Sequence, residues 1–212
     1  MSEEIVKIES IIRNTRKYWY IDGLSEIAGG LIIFSAGLTY WLVSTLENTS
    51  IKAILLMIAQ PAVIIIGSLI AQRILPKIKE RLTYPRTGYL TFRKPPRNRR
   101  FKRALFIGLI GGLVGALVTM ISSTLPDSYL PLLSSVFLLI FSIYIAYQTA
   151  VPRFYLVGLL MVLLGAAISF LPFENALPYT LFFCGIGIIW IISGVITLIL
   201  YLRKTSPQME EG

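Results

Sequence analysis

The chain has 212 residues, and its 20 lysines and arginines outnumber its 11 acids, which gives a formal net charge of +9. Hydrophobic residues make up 55% and charged residues only 15%, against about 25% charged in soluble domains, so the composition indicates a membrane protein. The absence of histidine excludes catalysis and metal ligation by that residue, and the single cysteine, Cys184, excludes an internal disulfide. Sorting of positive charge to one side of a membrane explains the net charge, so we predict no nucleic-acid partner.

The first 21 residues are too polar for a signal peptide or a spanning helix. Their isoleucines fall at helical spacing, with acids in the first turn and bases near the end. This pattern predicts an amphipathic helix at 1–21 that lies in the membrane interface, with Tyr18, Trp19 and Tyr20 at headgroup level.

Long apolar runs follow, each near the length needed to cross about 30 Å of hydrocarbon as a helix. They predict an all-α integral membrane protein with six transmembrane helices: Leu24–Leu46, Ile51–Leu75, Ala104–Ser122, Leu130–Ala150, Phe154–Leu171 and Leu177–Leu202. The spans form three helical hairpins, at 22–75, 104–150 and 151–202, and a tail at 203–212 follows them. Pro61 falls in the middle of the second span, where we predict a kink.

A strongly basic segment at 76–103 separates the first two hairpins and holds 11 of the 20 bases. Such a loop stays on the cytoplasmic side, because moving its charges across the membrane is unfavourable. We therefore predict that both termini are cytoplasmic. Alternation at 81–84 and 89–93 around a Pro-Arg-Thr-Gly turn also predicts a small β-hairpin in this loop. Its tyrosines and arginine, Tyr84, Arg86 and Tyr89, are candidates for binding lipid phosphate or a partner.

The third and fifth spans resemble one another, with six of fourteen positions identical from Arg103 and Arg153 onward. We interpret 103–150 and 153–202 as parallel repeats of one hairpin, and 24–75 as a weaker third copy. Small residues seven apart form stripes that let helix backbones approach closely. These stripes predict contact between helices of one chain, with homo-oligomerisation as the alternative, and comprise Gly30, Gly37, Gly108, Gly112, Gly115, Gly158, Gly165, Gly187 and Gly194.

Ionisable residues are absent from the middle of every predicted span, which disfavours proton- or sodium-coupled transport. Asp22 and Glu26, at the start of the first span, are the nearest candidates. They either cap the helix and complement its dipole, or bind a cation, or pair with loop arginines. Gln60, beside Pro61, either bonds to a neighbouring helix or lines a polar pathway.

The runs Tyr84-Pro85-Arg86-Thr87-Gly88-Tyr89 and Tyr18-Trp19-Tyr20-Ile21-Asp22-Gly23 resemble stretches of uncharacterised multi-pass membrane proteins of prokaryotes. The resemblance implies the cytoplasmic membrane of a bacterium or archaeon and brings no activity with it.

These features favour a non-enzymatic membrane scaffold, regulator or subunit without cofactor or metal. It would present a basic cytoplasmic face to a protein partner or to anionic lipid headgroups. The alternative is a small transporter or channel for a neutral, lipid-like or anionic solute. A lipid-active enzyme is disfavoured, because Asp22, Glu26 and the loop arginines are the only groups that would serve it.

Overall fold

The computed structural model describes residues 20–87, 120, 126–171 and 177–205. These ranges are helical and contain no strand. Short helical turns lie at Tyr84–Thr87 and Asp127–Tyr129. The predicted amino-terminal helix up to residue 19, the predicted third span except Met120, and the tail after Thr205 lie outside the described residues. The five long helices are α1 (Leu24–Ser44), α2 (Thr49–Leu82), α3 (Leu130–Thr149), α4 (Arg153–Phe170) and α5 (Leu177–Lys204).

All five helices are long and apolar enough to cross a membrane, as their sequences predicted. Their ends are set by local chemistry. The Asn48 side chain caps α2 by accepting hydrogen bonds from the backbone of Ser50 and Ile51, at 3.0 and 3.1 Å. Pro131 lies in the first turn of α3, where its missing N–H costs no hydrogen bond. The bounds therefore follow the predicted spans closely at every helix except α2.

Helix α2 continues past the end of its apolar run at Leu75, through Pro76, to Leu82. The prediction of a β-strand at 81–84 is wrong, because α2 and the turn at Tyr84–Thr87 make this segment helical. Four alternating residues are a weak signal for a strand, and contacts with another helix stabilise the helical form of this segment. Asp22, before α1, binds both Lys79 and Thr83. The second predicted strand, at 89–93, lies outside the described residues.

Helices α1 and α5 pack antiparallel along their glycine stripes. A Cβ atom on Gly30 would lie 2.7 Å from the carbonyl oxygen of Gly187, and one on Gly194 would lie 2.7 Å from that of Gly23. At the other end of the interface, a Cβ on Gly37 would lie 2.6 Å from the Cys184 sulfur. The predicted stripes of α1 and α5 are thus the two halves of one interface within a single chain.

Helices α3 and α4 form a second antiparallel pair built in the same way. Gly158 lies against Ser142, and Gly165 lies against Ser135 and the backbone of Pro131. Serine hydroxyls tie the two helices at both ends. Ser142 donates to the carbonyl of Phe154 at 2.5 Å, and Ser169 accepts from the backbone of Leu132 at 3.1 Å.

The core lies between α4 and α5 and is formed by apolar side chains from both. Its buried members are Val157, Met161, Ile168, Phe182 and Ile186. Helix α2, in contrast, has no buried residue in its most apolar stretch. Its exposed side chains include Met57, which is 79% accessible, and Ile58, which is 63% accessible. Apolar exposure on this scale is unfavourable in water and is what a lipid-facing helix requires.

The start of α1, the end of α2, the start of α4 and the end of α5 meet at the same end of the bundle. We call this the ion-pair end, because the two ion pairs of the described residues lie there. The start of α3 and the end of α4 lie at the opposite end, where the backbone N–H of Leu132 donates to the Ser169 hydroxyl.

Candidate functional site: a buried ion-pair cluster

Asp22 is fully buried and binds two residues at the end of α2. Its carboxylate pairs with the Lys79 ammonium, with N–O distances of 3.0 and 3.1 Å. The Thr83 hydroxyl donates to Asp22 Oδ2 at 2.9 Å, and the backbone of Leu24 donates to Oδ1 at 3.2 Å. Both carboxylate oxygens are therefore satisfied, and the bonds fasten the start of α1 to the end of α2.

Glu26 is also fully buried and connects α1 with α4 and α5. The Arg153 guanidinium donates to Glu26 Oε1 through Nε at 2.9 Å and through Nη2, and it donates to the backbone carbonyl of Tyr20. The Ser193 hydroxyl donates to the other oxygen, Oε2, at 2.8 Å. One carboxylate therefore holds the first residue of α4 and the middle of α5 against α1.

Backbone geometry brings the two carboxylates to the same end. Gly23 stands between them with a φ of +72°, a left-handed conformation that side chains rarely adopt. A Cβ atom there would also clash with the carbonyl oxygen of Gly194. Glycine at position 23 therefore lets the chain turn into α1 while lying directly on α5.

Aromatic rings cover the cluster on the α4 side. The ring of Phe154, which is completely buried, meets Tyr20 edge-on at 5.5 Å and lies 5.9 Å from Trp190. The Arg153 guanidinium lies 5.5 Å from the centre of the same ring. Burial raises the pKa of the Tyr20 phenol, and the negative charge of Glu26 raises it further. The rings cover part of the Arg153–Glu26 pair and lower its exposure to water, although the Arg153 side chain stays 27% accessible.

The hydroxyl of Tyr201 extends the cluster by donating to the backbone carbonyl of Thr83 at 3.2 Å, which ties the end of α5 to the end of α2. We define the ion-pair cluster as Asp22, Glu26, Lys79, Thr83, Arg153, Ser193 and Tyr201. Chemically the cluster is closed, because each carboxylate oxygen already accepts a hydrogen bond or ion pair. It is suited to fixing four helices relative to one another.

The structure assigns definite partners to the two acids that the sequence singled out. Of the predicted pairings, Asp22 meets a lysine of the predicted loop segment, Lys79, and Glu26 meets Arg153, which lies outside that segment. Glu26 also lies in the first turn of α1, as expected for dipole stabilisation.

Gln60 bonds to a neighbouring helix. Its side-chain amide donates to the carbonyl oxygen of Ala36 on α1 at 3.0 Å. Pro61 lies inside α2, and the helix continues across it. The kink predicted at Pro61 stays a prediction.

Replacing Gln60 with leucine should cost little. A polar bond between membrane helices contributes about 0.6 kcal/mol on average, and leucine keeps most of the side-chain volume. We expect a loss of about that size in the free energy of unfolding, measured by detergent denaturation of the full chain. A loss several times larger would show that Gln60 does more than join α1 and α2.

The remaining predicted positions fall in different places. Tyr84 is half-buried in the helical turn after α2. Arg86 belongs to the same turn by its backbone, and its side chain lies outside the described residues. Tyr89 lies outside them too, as do Gly108, Gly112 and Gly115.

Sequence reasoning missed Lys79, Thr83, Arg153 and Ser193 as partners of the acids, and it missed Tyr201, which bonds to the backbone of Thr83. Arg153 carried a usable signal: it is a base at the first position of an apolar helix, in a chain whose predicted spans lack charge in their middles. Ser193 and Tyr201 carried none, since hydroxyl residues are common in apolar helices.

The described fold and the cluster define a class. This is an all-helical protein with five described helices suited to crossing a membrane, joined at one end by buried ion pairs. Comparison of the chain with protein-family models, with curated proteins and with solved structures finds no match.

Proposed function

We propose that this chain is a six-span protein of a prokaryotic cytoplasmic membrane, with both termini inside, that acts without catalysis as a scaffold, regulator or subunit. It presents its basic side to a protein partner or to anionic lipid. The observation that carries the proposal is the closed ion-pair cluster. It fastens four helices together at the ion-pair end, and every oxygen of the two buried carboxylates already accepts a hydrogen bond or ion pair.

The direction of the helices supports six spans. Leu82 lies near the ion-pair end, because its neighbours Lys79 and Thr83 belong to the cluster there. Leu130 begins α3 at the opposite end. The apolar run predicted as a span, Ala104–Ser122, lies between these residues in the sequence, and a crossing there would connect the two ends.

The distribution of charge supports the orientation. Exposed bases at the ion-pair end include Arg81, Arg203 and Lys204. Among the described residues, the base on the opposite side is Lys52. The basic segment up to Arg103 follows α2 directly from that end. Positive charge concentrated on one side is typical of the cytoplasmic face.

The cluster also weighs against the alternative of an ion-coupled carrier. Such carriers use buried carboxylates that exchange their partners for a proton or cation. Asp22 and Glu26 are held by Lys79, Thr83, Arg153 and Ser193. The amide of Gln60, which motivated a polar pathway, is bonded to α1. A carrier for a neutral or lipid-like solute stays the second candidate.

The proposal is tested by extracting the full chain from its native membrane in mild detergent. We expect a stoichiometric partner, or enrichment of anionic phospholipid over the bulk membrane, measured by mass spectrometry. Changing Arg97, Arg99 and Arg100 to glutamine should lower this association on the order of a hundredfold, since each base near an anionic surface contributes about fivefold.

Lys52→Gln is the matched control, because it removes one base from the opposite side and should leave the association unchanged. The three-arginine variant keeps eight bases in the loop segment, so the orientation should be retained; accessibility labelling at both ends checks this. Wild-type protein that carries neither a partner nor an excess of anionic lipid would contradict the proposal.

A further inference from the structure

A groove of about 610 Å³ opens sideways between α4 and α5. Most of its lining residues are aliphatic, and several of these are exposed on the bundle surface. The side chains along its length are Leu156, Leu160, Ile189, Ile192, Ile196 and Leu200. The groove extends from Ile189 to Lys204 on α5, about 22 Å at a rise of 1.5 Å per residue. That length exceeds half of a hydrocarbon core about 30 Å thick, so the groove follows one leaflet from the headgroup region inward.

The polar groups that line the groove are concentrated at the ion-pair end, and most are already engaged. The Ser193 hydroxyl donates to Glu26, that of Tyr201 to the Thr83 carbonyl, and that of Thr205 to the Tyr201 carbonyl. The charge of Arg153 is balanced by Glu26. Lys204 differs: it is exposed at the mouth of the groove and has no acidic partner among the described residues.

These features select the occupant. An extended peptide segment would bring backbone N–H and C=O groups into a site whose hydroxyls are in use, and each unsatisfied group costs several kcal/mol in an apolar setting. An acyl chain brings none. Of the two bases that line the groove, Lys204 is the one without an acidic partner in the described part of the chain, and its positive charge at the headgroup end matches a phosphate.

We propose that this groove binds an anionic phospholipid of the surrounding leaflet, with one acyl chain along α4 and α5 and its phosphate at Lys204. The inference rests on the proposed function in placing the ion-pair end at an anionic membrane surface. It goes beyond that proposal by assigning a specific site outside the basic loop.

A second groove provides an internal comparison. It lies between α1 and α2, has a volume of about 470 Å³, and is lined by aliphatic residues such as Ile66, Ile70 and Ile74. None of its lining residues is charged. It should accept acyl chains without preference for the headgroup.

The test uses the full chain in mixed micelles with phosphatidylglycerol that carries a photoreactive group near the end of one acyl chain. After illumination, mass spectrometry locates the labelled peptides. We expect labelling around Leu160 and Ile189. Unlabelled phosphatidylglycerol should compete about fivefold better than phosphatidylcholine with the same acyl chains, the effect of one ion pair at the surface.

Lys204→Ala should remove the preference for phosphatidylglycerol and leave the acyl-chain labelling in place. Arg203→Ala is the matched control, because Arg203 is equally exposed and adjacent but does not line the groove. Ile196→Trp should block labelling in this groove, whereas Ile70→Trp in the second groove should not. A circular-dichroism melt of each variant confirms that it is folded.

Absence of labelling on α4 and α5, equal competition by the two lipids for that labelling, or equal effects of Lys204→Ala and Arg203→Ala would each overturn the inference. The last result would mean that the lipid responds only to the general positive charge of this end. The proposed function fails separately: it is contradicted when wild-type protein brings neither a partner nor anionic lipid out of its native membrane.

Discussion

Asp22→Ala destabilises the folded protein by about 3–5 kcal/mol, the usual cost of removing one partner from a buried ion pair. The size follows from what is left behind. The Lys79 side chain is only 3% accessible, so without the carboxylate its charge stays buried. The Thr83 hydroxyl loses its acceptor at the same time. Detergent denaturation of the full chain, followed by circular dichroism, measures the loss.

Three further variants show whether the unpaired charge is the cause. Asp22→Leu combined with Lys79→Met removes both charges and should recover much of the stability, since a buried pair replaced by apolar residues is often neutral. Glu26→Ala should cost less than Asp22→Ala, because the Arg153 side chain is 27% accessible and reaches water. Glu47→Ala, which changes an exposed acid, should leave the unfolding midpoint unchanged. Equal losses for Asp22→Ala and the double variant would disprove the explanation.

Gly30→Ala should destabilise the protein by about 1–3 kcal/mol, the range for overpacking a close interface. The added methyl group would lie 2.7 Å from the carbonyl oxygen of Gly187 and 2.8 Å from the backbone nitrogen of Ile191. Backbone atoms have no alternative rotamer, so α1 and α5 must separate. The same denaturation measurement applies, and Gly187→Ala should behave alike because its Cβ meets Phe34 at 2.7 Å.

Gly29→Ala is the matched control for this interface. It changes the neighbouring residue of the same helix, and its Cβ would meet Trp190 at 3.9 Å, an ordinary contact. We expect it to be neutral or to stabilise by up to about 1 kcal/mol, because alanine favours helix more than glycine does. Similar losses from both variants would mean that the α1–α5 contact does not depend on the glycine stripe. A change in oligomeric state without loss of stability would instead favour homo-oligomerisation through this face.

The glycine stripes show how far sequence reasoning reached. Spacing by seven indicated that Gly23, Gly30 and Gly37 share one helix face and that Gly187 and Gly194 share another. It did not indicate that the two faces meet, because periodicity describes one helix at a time. The pairing depends on how α1 and α5 are brought together, and the contact of Gly30 with Gly187 is visible only in the folded chain.

For the two acids as well, the sequence identified the residues but not their partners. Their position at the start of a charge-free span identified Asp22 and Glu26 as candidates. The partners lie far away along the chain: Lys79 is 57 residues from Asp22, and Arg153 is 127 residues from Glu26. No local pattern connects groups at such separations, so the choice between capping, cation binding and ion pairing stayed open. At 81–84 a local pattern was misleading. The alternation there predicted a strand, but the segment is helical and its Thr83 is bonded to Asp22.

The sequence by itself indicated a membrane environment for this chain and the extent of its described helices other than α2, because transfer of apolar side chains into lipid depends on composition and length. The tertiary structure decided which helices touch, which charges neutralise one another and where a groove stays open beside Lys204. Those features depend on distances between residues that are remote in sequence, and such distances are fixed only when the helices pack.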